Sequence, residues 1–281
     1  MCVTCGCSDD NAKITHPQTG EVVAIDSHDD THHHSHTLPD GTVITHSHSH
    51  DNVEDTSAIH AKIHNTTISL EQDILAKNNL IAAQNRGWFK GRNILALNLM
   101  SSPGSGKTTL LTRTINDLKH QLTISVIEGD QETINDAKKI EATGCKVVQI
   151  NTGTGCHLDA SMIEKGLQQL NPSLDSVVMI ENVGNLVCPA LFDLGEQAKV
   201  AILSVTEGED KPIKYPHIFR ASNVMIITKI DLLPYLQFDV EKCIEYARQV
   251  NPNMRIFQVS ALTGKGLDDW YQWLRMREVR S

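Results

Sequence analysis

Nine residues, SSPGSGKTT at positions 101–109, constrain the fold of this 281-residue chain more than any others. They follow the apolar run NILALNLM (93–100) and open the amphipathic run TTLLTRTINDLKHQL. A strand, a glycine-rich loop and a helix in that order form the context of a phosphate-binding P-loop. Gly104, Ser105 and Gly106 supply backbone N–H groups that turn inward around phosphate oxygens. Lys107 reaches the β- and γ-phosphates, the Thr108 hydroxyl suits Mg²⁺, and Thr109 completes the expected nucleotide-binding set of the loop. The pattern departs from the usual one at its first position, where Ser101 replaces Gly.

A P-loop also predicts its surroundings. Short β-branched runs recur at 122–127, 147–150, 176–181, 199–205 and 224–231, separated by helical or loop segments. Such alternation predicts an α/β fold, a mostly parallel sheet with helices on both faces. The apolar positions Ile68, Leu70, Ile74, Leu75, Leu80, Ile81 and Ala82 predict a leading helix over 68–88, capped by Ser69 or Thr67. The folded domain is therefore expected at 67–281.

Charge separates this domain from what precedes it. Residues 1–64 carry ten Asp and Glu against two Lys, and eleven of the fourteen histidines, whereas the remainder is nearly neutral. The acidic, histidine-loaded stretch 1–66, with tracts THHHSHT and THSHSH, has too few large apolar residues to bury a core and is expected to be a largely disordered metal-binding tail. The rest shows no basic stripe for nucleic acid, and no apolar run of about 18 residues could span a bilayer. The start, MCVTCGCSDD, lacks the basic and apolar regions of a secretory signal, so the cytoplasm is the expected compartment and the seven cysteines are expected to be reduced.

Further motifs refine the chemistry. TKID (228–231) ends an apolar run where guanine-specific enzymes carry N-K-x-D: Lys229 covers the base and Asp231 accepts from two guanine nitrogens, with Thr228 in place of Asn. In SALTGKG the backbone N–H of Ala261 suits the guanine oxygen, so GTP and GDP are favoured over ATP. Asp130 in IEGDQET and Glu181 in MIENVGN are the candidate acids for Mg²⁺. Gly184 stands where many GTPases contact the γ-phosphate, and Asn185 follows it instead of a water-positioning Gln, so slow intrinsic hydrolysis is expected.

Cysteine carries a second message. Cys2, Cys5 and Cys7, with the terminal amine, form a donor set that Ni²⁺ accepts in a plane and Zn²⁺ as a tetrahedron. Within the folded domain Cys156 and His157 follow one strand and Cys188 the next. If those strands are adjacent, the three side chains share one sheet edge and leave a metal site incomplete, to be closed by water, a transferred ligand or a second subunit. Cys145 and Cys243 occupy apolar settings and are assigned to packing.

Together MCVTCGC, SSPGSGKTTLL, IEGDQET, GTGCHLD, IENVGNLVCPA, EGEDKPIKYP and TKIDLLPY resemble the HypB family of hydrogenase nickel incorporation proteins, SIMIBI-type P-loop GTPases. The resemblance covers residues 1–7 and about 68–281. It implies a homodimerising GTPase that delivers Ni²⁺ to the precursor of the [NiFe] hydrogenase large subunit, working with a HypA-type nickel/zinc chaperone. It further implies a high-affinity nickel site at Cys2, Cys5 and Cys7, and a second Ni²⁺ or Zn²⁺ site at Cys156, His157 and Cys188. The competing readings are a nickel/zinc storage protein with an ancillary nucleotide site and a related GTPase serving urease.

Overall fold

The computed structural model describes residues 13–15, 22–24, 31–37, 43–49, 56–130, 135–153 and 155–276, with side-chain surroundings from residue 72 onward. Two compact units divide at Ile74 and Leu75. In the first, β1 (Lys13–Thr15) pairs antiparallel with β2 (Val22–Ala24), and β3 (Thr31–Thr37) with β4 (Val43–Ser49), setting His32 opposite His48 and His34 opposite His46. These short antiparallel pairs lie within the acidic, histidine-loaded stretch 1–66. Thr, Val and alternating side chains suit an extended pair without a hydrophobic core to announce it. Cys2, Cys5 and Cys7 lie outside the described residues.

Helix α1 runs from Thr56 to Gly91, so Thr67 and Ser69 are interior positions and not caps. Its expected apolar face is also corrected. Leu80 is 70% exposed, whereas Asn78, Ala82, Asn85 and Phe89 are buried at helical spacing. The inward asparagines satisfy loop backbone: Asn78 accepts from Ala160 N and donates to Asp193 O, and Asn85 donates to the carbonyls of Ala160 and Leu194. Gly195 (φ +90) permits this approach, since a Cβ there would lie 2.6 Å from the Ala82 carbonyl.

The second unit is built on seven strands: β5 (Leu95–Ser101), β6 (Ile124–Asp130), β7 (Lys146–Asn151), β8 (Val177–Glu181), β9 (Ala198–Ser204), β10 (Val224–Thr228) and β11 (Arg255–Gln258). They form one parallel sheet in the order β11-β10-β9-β5-β8-β6-β7. The chain leaves β5 toward one edge, returns through β8, and then crosses to β9. A topological switch therefore lies beside β5, where a crevice opens at the strands' carboxyl ends. β11, short and half exposed, is the strand that hydrophobic runs do not reveal.

Side chains of β5 alternate between two covered faces. Leu95, Leu97 and Leu99 pack with Leu111 and Ile115 of α2 (Lys107–Leu118) and with Trp270 and Leu274 of α6 (Leu267–Met276). On the other face Ala96 meets Phe89 of α1 and Ile163 and Leu167 of α3 (Ala160–Leu170). Met100, also on that face, joins Ile218 and Phe219 of α4 (Pro216–Ala221) and Ala247 of α5 (Val240–Val250). Cys243 is fully buried and Cys145 partly so, and burial raises both thiols, Cys145 to about 11, in keeping with packing roles.

Candidate nucleotide and metal site

The loop between β5 and α2 takes its shape from its glycines. Gly104 (φ +76) and Gly106 (φ +94) adopt the left-handed conformation that L side chains disfavour. Ser101 explains its own departure from the pattern, because its hydroxyl accepts from Lys107 Nζ at 2.9 Å and from Ser105 Oγ at 2.6 Å. The lysine is thereby held across the curve of the loop. Burial lowers its pKa, opposed chiefly by the charge of Glu181.

A cleft of about 530 Å³ opens there, lined by the loop, Glu128, Asp130, Asp136, Glu181, Gly184 and Lys229. Glu181, at the end of β8, accepts from Thr108 Oγ1 at 2.6 Å. Glu128 of β6 stands opposite it in register, and each carboxylate leaves one buried oxygen, Oε2, without a hydrogen-bond partner. Burial and the neighbouring Glu181 push Glu128 up to about 8, and burial raises Glu181 as well. Two orphaned carboxylate oxygens beside a hydroxyl are the hard donors that a Mg²⁺ ion takes. Asp130 is half-buried on the rim of the same cleft.

The structure ties the TKID motif to the P-loop. Thr228 Oγ1 donates to Ser105 O at 2.6 Å, and Lys229 (φ +60) donates through Nζ to Gly104 O at 2.7 Å. Asp231 lies in the following 3-10 turn, Ile230–Tyr235, and is half-buried. Arg113 of α2 donates to the carbonyl of Ala261 at 2.9 Å, anchoring that loop.

Cys156, His157 and Cys188 come together with their ligand atoms within 4.8 Å of one another, the single such cluster of three among the described residues. The two sulfurs are 3.1 Å apart and Cys156 Sγ lies 3.8 Å from His157 Nδ1. The His157 ring stacks on Phe192 at 3.9 Å, and burial lowers its pKa, favouring the neutral, metal-binding imidazole. One expectation needs correction: β7 and β8 are not neighbours, because β6 lies between them. The loop after β7 crosses the end of β6 at Gly129, where a Cβ would lie 2.8 Å from the Leu158 side chain.

Three residues escaped the sequence reading. Glu128 is two positions before Asp130 in VIEGD, and an acid within a β-branched run was the available signal. Glu207 accepts from the Ser102 hydroxyl and from Ser204 N, bracing the P-loop shoulder. Asn182 is 1% exposed and joins the segment after β8 to the loop that carries Cys156 and His157, which no linear pattern discloses.

A parallel sheet with a glycine-rich phosphate loop at its switch point defines a P-loop nucleotide-binding protein, here with a Cys/His cluster at the same sheet edge. The model of the CobW/HypB/UreG nucleotide-binding domain matches residues 95–258. Hydrogenase maturation factor HypB of Escherichia coli (strain K12) is 58% identical over 207 residues, which are 74% of this chain and 71% of that protein. The crystal structure of hydrogenase maturation factor HypB from Archaeoglobus fulgidus superimposes with a TM-score of 0.68 at 39% identity, covering 73% of this chain and 100% of the other. The structure of HypB from Helicobacter pylori in complex with nickel gives 0.67 at 39%, covering 72% and 94%. The chain belongs to the HypB hydrogenase maturation factors of the CobW/HypB/UreG family.

Proposed function

We propose that this protein is a GTP-hydrolysing nickel metallochaperone that binds Ni²⁺ and releases it during maturation of [NiFe] hydrogenase. The observation that carries the reading is the placement of the Cys156, His157 and Cys188 cluster on the chain segments that flank Gly184, which itself abuts the P-loop. A Cβ on Gly184 would lie 3.0 Å from the Pro103 side chain and 3.2 Å from its backbone, so Gly184 packs closely against the P-loop. The relative from Helicobacter pylori, solved with nickel, supports the choice of cargo.

Hydrolysis follows from the residues in the cleft. Lys107 leaves Ser101 for the β- and γ-phosphate oxygens, where its charge stabilises the transferring group. Thr108, Glu181 and Glu128 would hold Mg²⁺, with Asp130 on the rim; the ion supplies neutralisation of developing negative charge. A water oxygen attacks the γ-phosphorus in line as the bond to the β-bridging oxygen breaks, giving GDP and phosphate. Asn185 does not replace a water-positioning Gln, so turnover is slow until a second copy of the chain or another partner completes the site. Lys229 and Asp231 select guanine.

Three ligands from one chain leave a fourth position open, suited to a water or to a ligand from a second subunit. Nucleotide-dependent dimerisation then couples occupancy of the two sites, and handover to a HypA-type nickel/zinc chaperone or to the hydrogenase large-subunit precursor follows GTP hydrolysis. Nickel titration of reduced full-length protein and of protein cut to residues 65–281, with GDP or a non-hydrolysable GTP analogue, tests this. Thiolate-to-nickel absorption and molecular mass are read together. A tight site lost on truncation, plus a weaker site responsive to nucleotide and dimerisation, is expected. A truncated protein whose nickel binding ignores nucleotide would overturn the reading.

A further inference from the structure

Two asparagines bracket Gly184, and both hold the loop that carries Cys156 and His157. Asn182 Oδ1 accepts from Leu158 N at 3.1 Å and from Val183 N at 3.0 Å. Asn185 Nδ2 donates to the carbonyl of Cys156 at 3.4 Å. The dipeptide of metal ligands is thus gripped at both ends by the segment that touches the P-loop. Both of these contacts are to main-chain atoms of that loop, so each asparagine acts on the ligand geometry through main chain.

The grip is preset by a buried polar chain beneath it. Asn182 Nδ2 donates to Asn98 Oδ1 at 3.1 Å, and Asn98 Nδ2 donates to Glu196 Oε1 at 3.2 Å. Glu196 Oε2 accepts from Leu194 N at 2.7 Å, and Asn98 is fully buried in the centre of the sheet. With two N–H donors on one side of Asn182 and a carboxamide oxygen on the other, its amide has one orientation that satisfies every partner. Leu158 is equally constrained, being fully buried over Gly129. A shift at Gly184 cannot occur without moving Asn182, Asn185 or the hydrogen bonds they make.

We propose that Asn182 and Asn185 are positioning residues that transmit the nucleotide state of the P-loop to the Cys156 and His157 ligands, clamping them from either side of Gly184. This rests on the GTP-gated nickel reading above and adds the residues through which the gate acts. Cys188, four residues beyond Gly184, moves with the same segment, so the clamp sets whether the cluster opens or closes as one unit. Because coupling is reciprocal, nickel at the cluster changes the preference for GTP over GDP by the same factor.

The test uses full-length protein in which Cys2, Cys5 and Cys7 are serine, so that thiolate-to-nickel absorption reports the internal cluster alone. Nickel affinity is measured with Mg²⁺ and either GDP or a non-hydrolysable GTP analogue. In this reference protein a ratio of about five-fold or more between the nucleotide states is expected, at the low end of typical coupling. Asn182→Ala and Asn185→Ala should bring the ratio to within two-fold of one, and nickel should cease to alter their GTP and GDP affinities. If Asn182→Ala fails to fold by circular dichroism, the half-buried Asn185→Ala decides. A folded variant of either kind that retains the full ratio overturns the clamp while leaving gating intact. A reference protein without any ratio overturns both.

Discussion

Ser101 and Thr228 stand where related sequence patterns carry Gly and Asn, and each replaces a lost feature with a hydroxyl. Ser101 accepts from Lys107, while Thr228 ties the guanine-side strand to Ser105 O. Lys107→Ala removes the positive group held on the Ser101 hydroxyl, and under the proposed function GTP hydrolysis should fall by about 10²-fold or more, as for other donors aimed at transition-state charge. Phosphate release at saturating GTP measures it.

Glu128 makes a prediction about pH. Its carboxyl stays protonated to about 8 in the folded protein, whereas an unfolded chain releases that proton near 4.5. Between those values the native state binds more protons, so nucleotide-free stability falls as pH rises through that window. Glu128→Gln should flatten the fall in melting temperature between pH 5 and 8. An unchanged slope would remove Glu128 as its source.

At the scale of elements, position follows from where backbones can approach. Gly129 lets the loop after β7 cross β6, which brings Cys156 and His157 to Cys188 although their strands are not adjacent. Gly129→Ala should push Leu158 from its buried seat, cost about 1–3 kcal/mol as other overpacked cores do, and weaken nickel binding at the cluster. Thermal unfolding and nickel titration read the two effects separately. Helix α1 gives the complementary lesson, since its inward face is polar because it docks on loop backbone. Asn85→Ala leaves the buried carbonyls of Ala160 and Leu194 short of a donor and should destabilise the protein by about 1–3 kcal/mol in chemical denaturation.

For the whole molecule, the nucleotide cleft and the Cys/His cluster share one edge of one sheet, and the proposed function has a second copy of the chain complete both. Sedimentation of full-length protein with a GTP analogue and nickel should show a dimer that the protein alone at the same concentration does not form. Cys188→Ala should remove the nickel dependence of that dimer and leave its nucleotide dependence. Loss of neither would show that the cluster plays no part in association.

The P-loop, the alternation of strands and helices along the chain and the choice of Cys156, His157 and Cys188 as a candidate cluster were legible in sequence, because each depends on residue types at short spacing. Gly104, Gly106, Lys107 and Thr108 sit within one turn and a loop, where local geometry decides the outcome. The strand order, the polar face of α1, the opposed pair Glu128 and Glu181, and the chain through Glu196, Asn98 and Asn182 were not. The last two of those features join residues 53 to 98 positions apart along the chain, and only closing the sheet brings them into contact. A buried polar group looks like any other Asn or Glu until the tertiary structure supplies its partner, or leaves one oxygen without any.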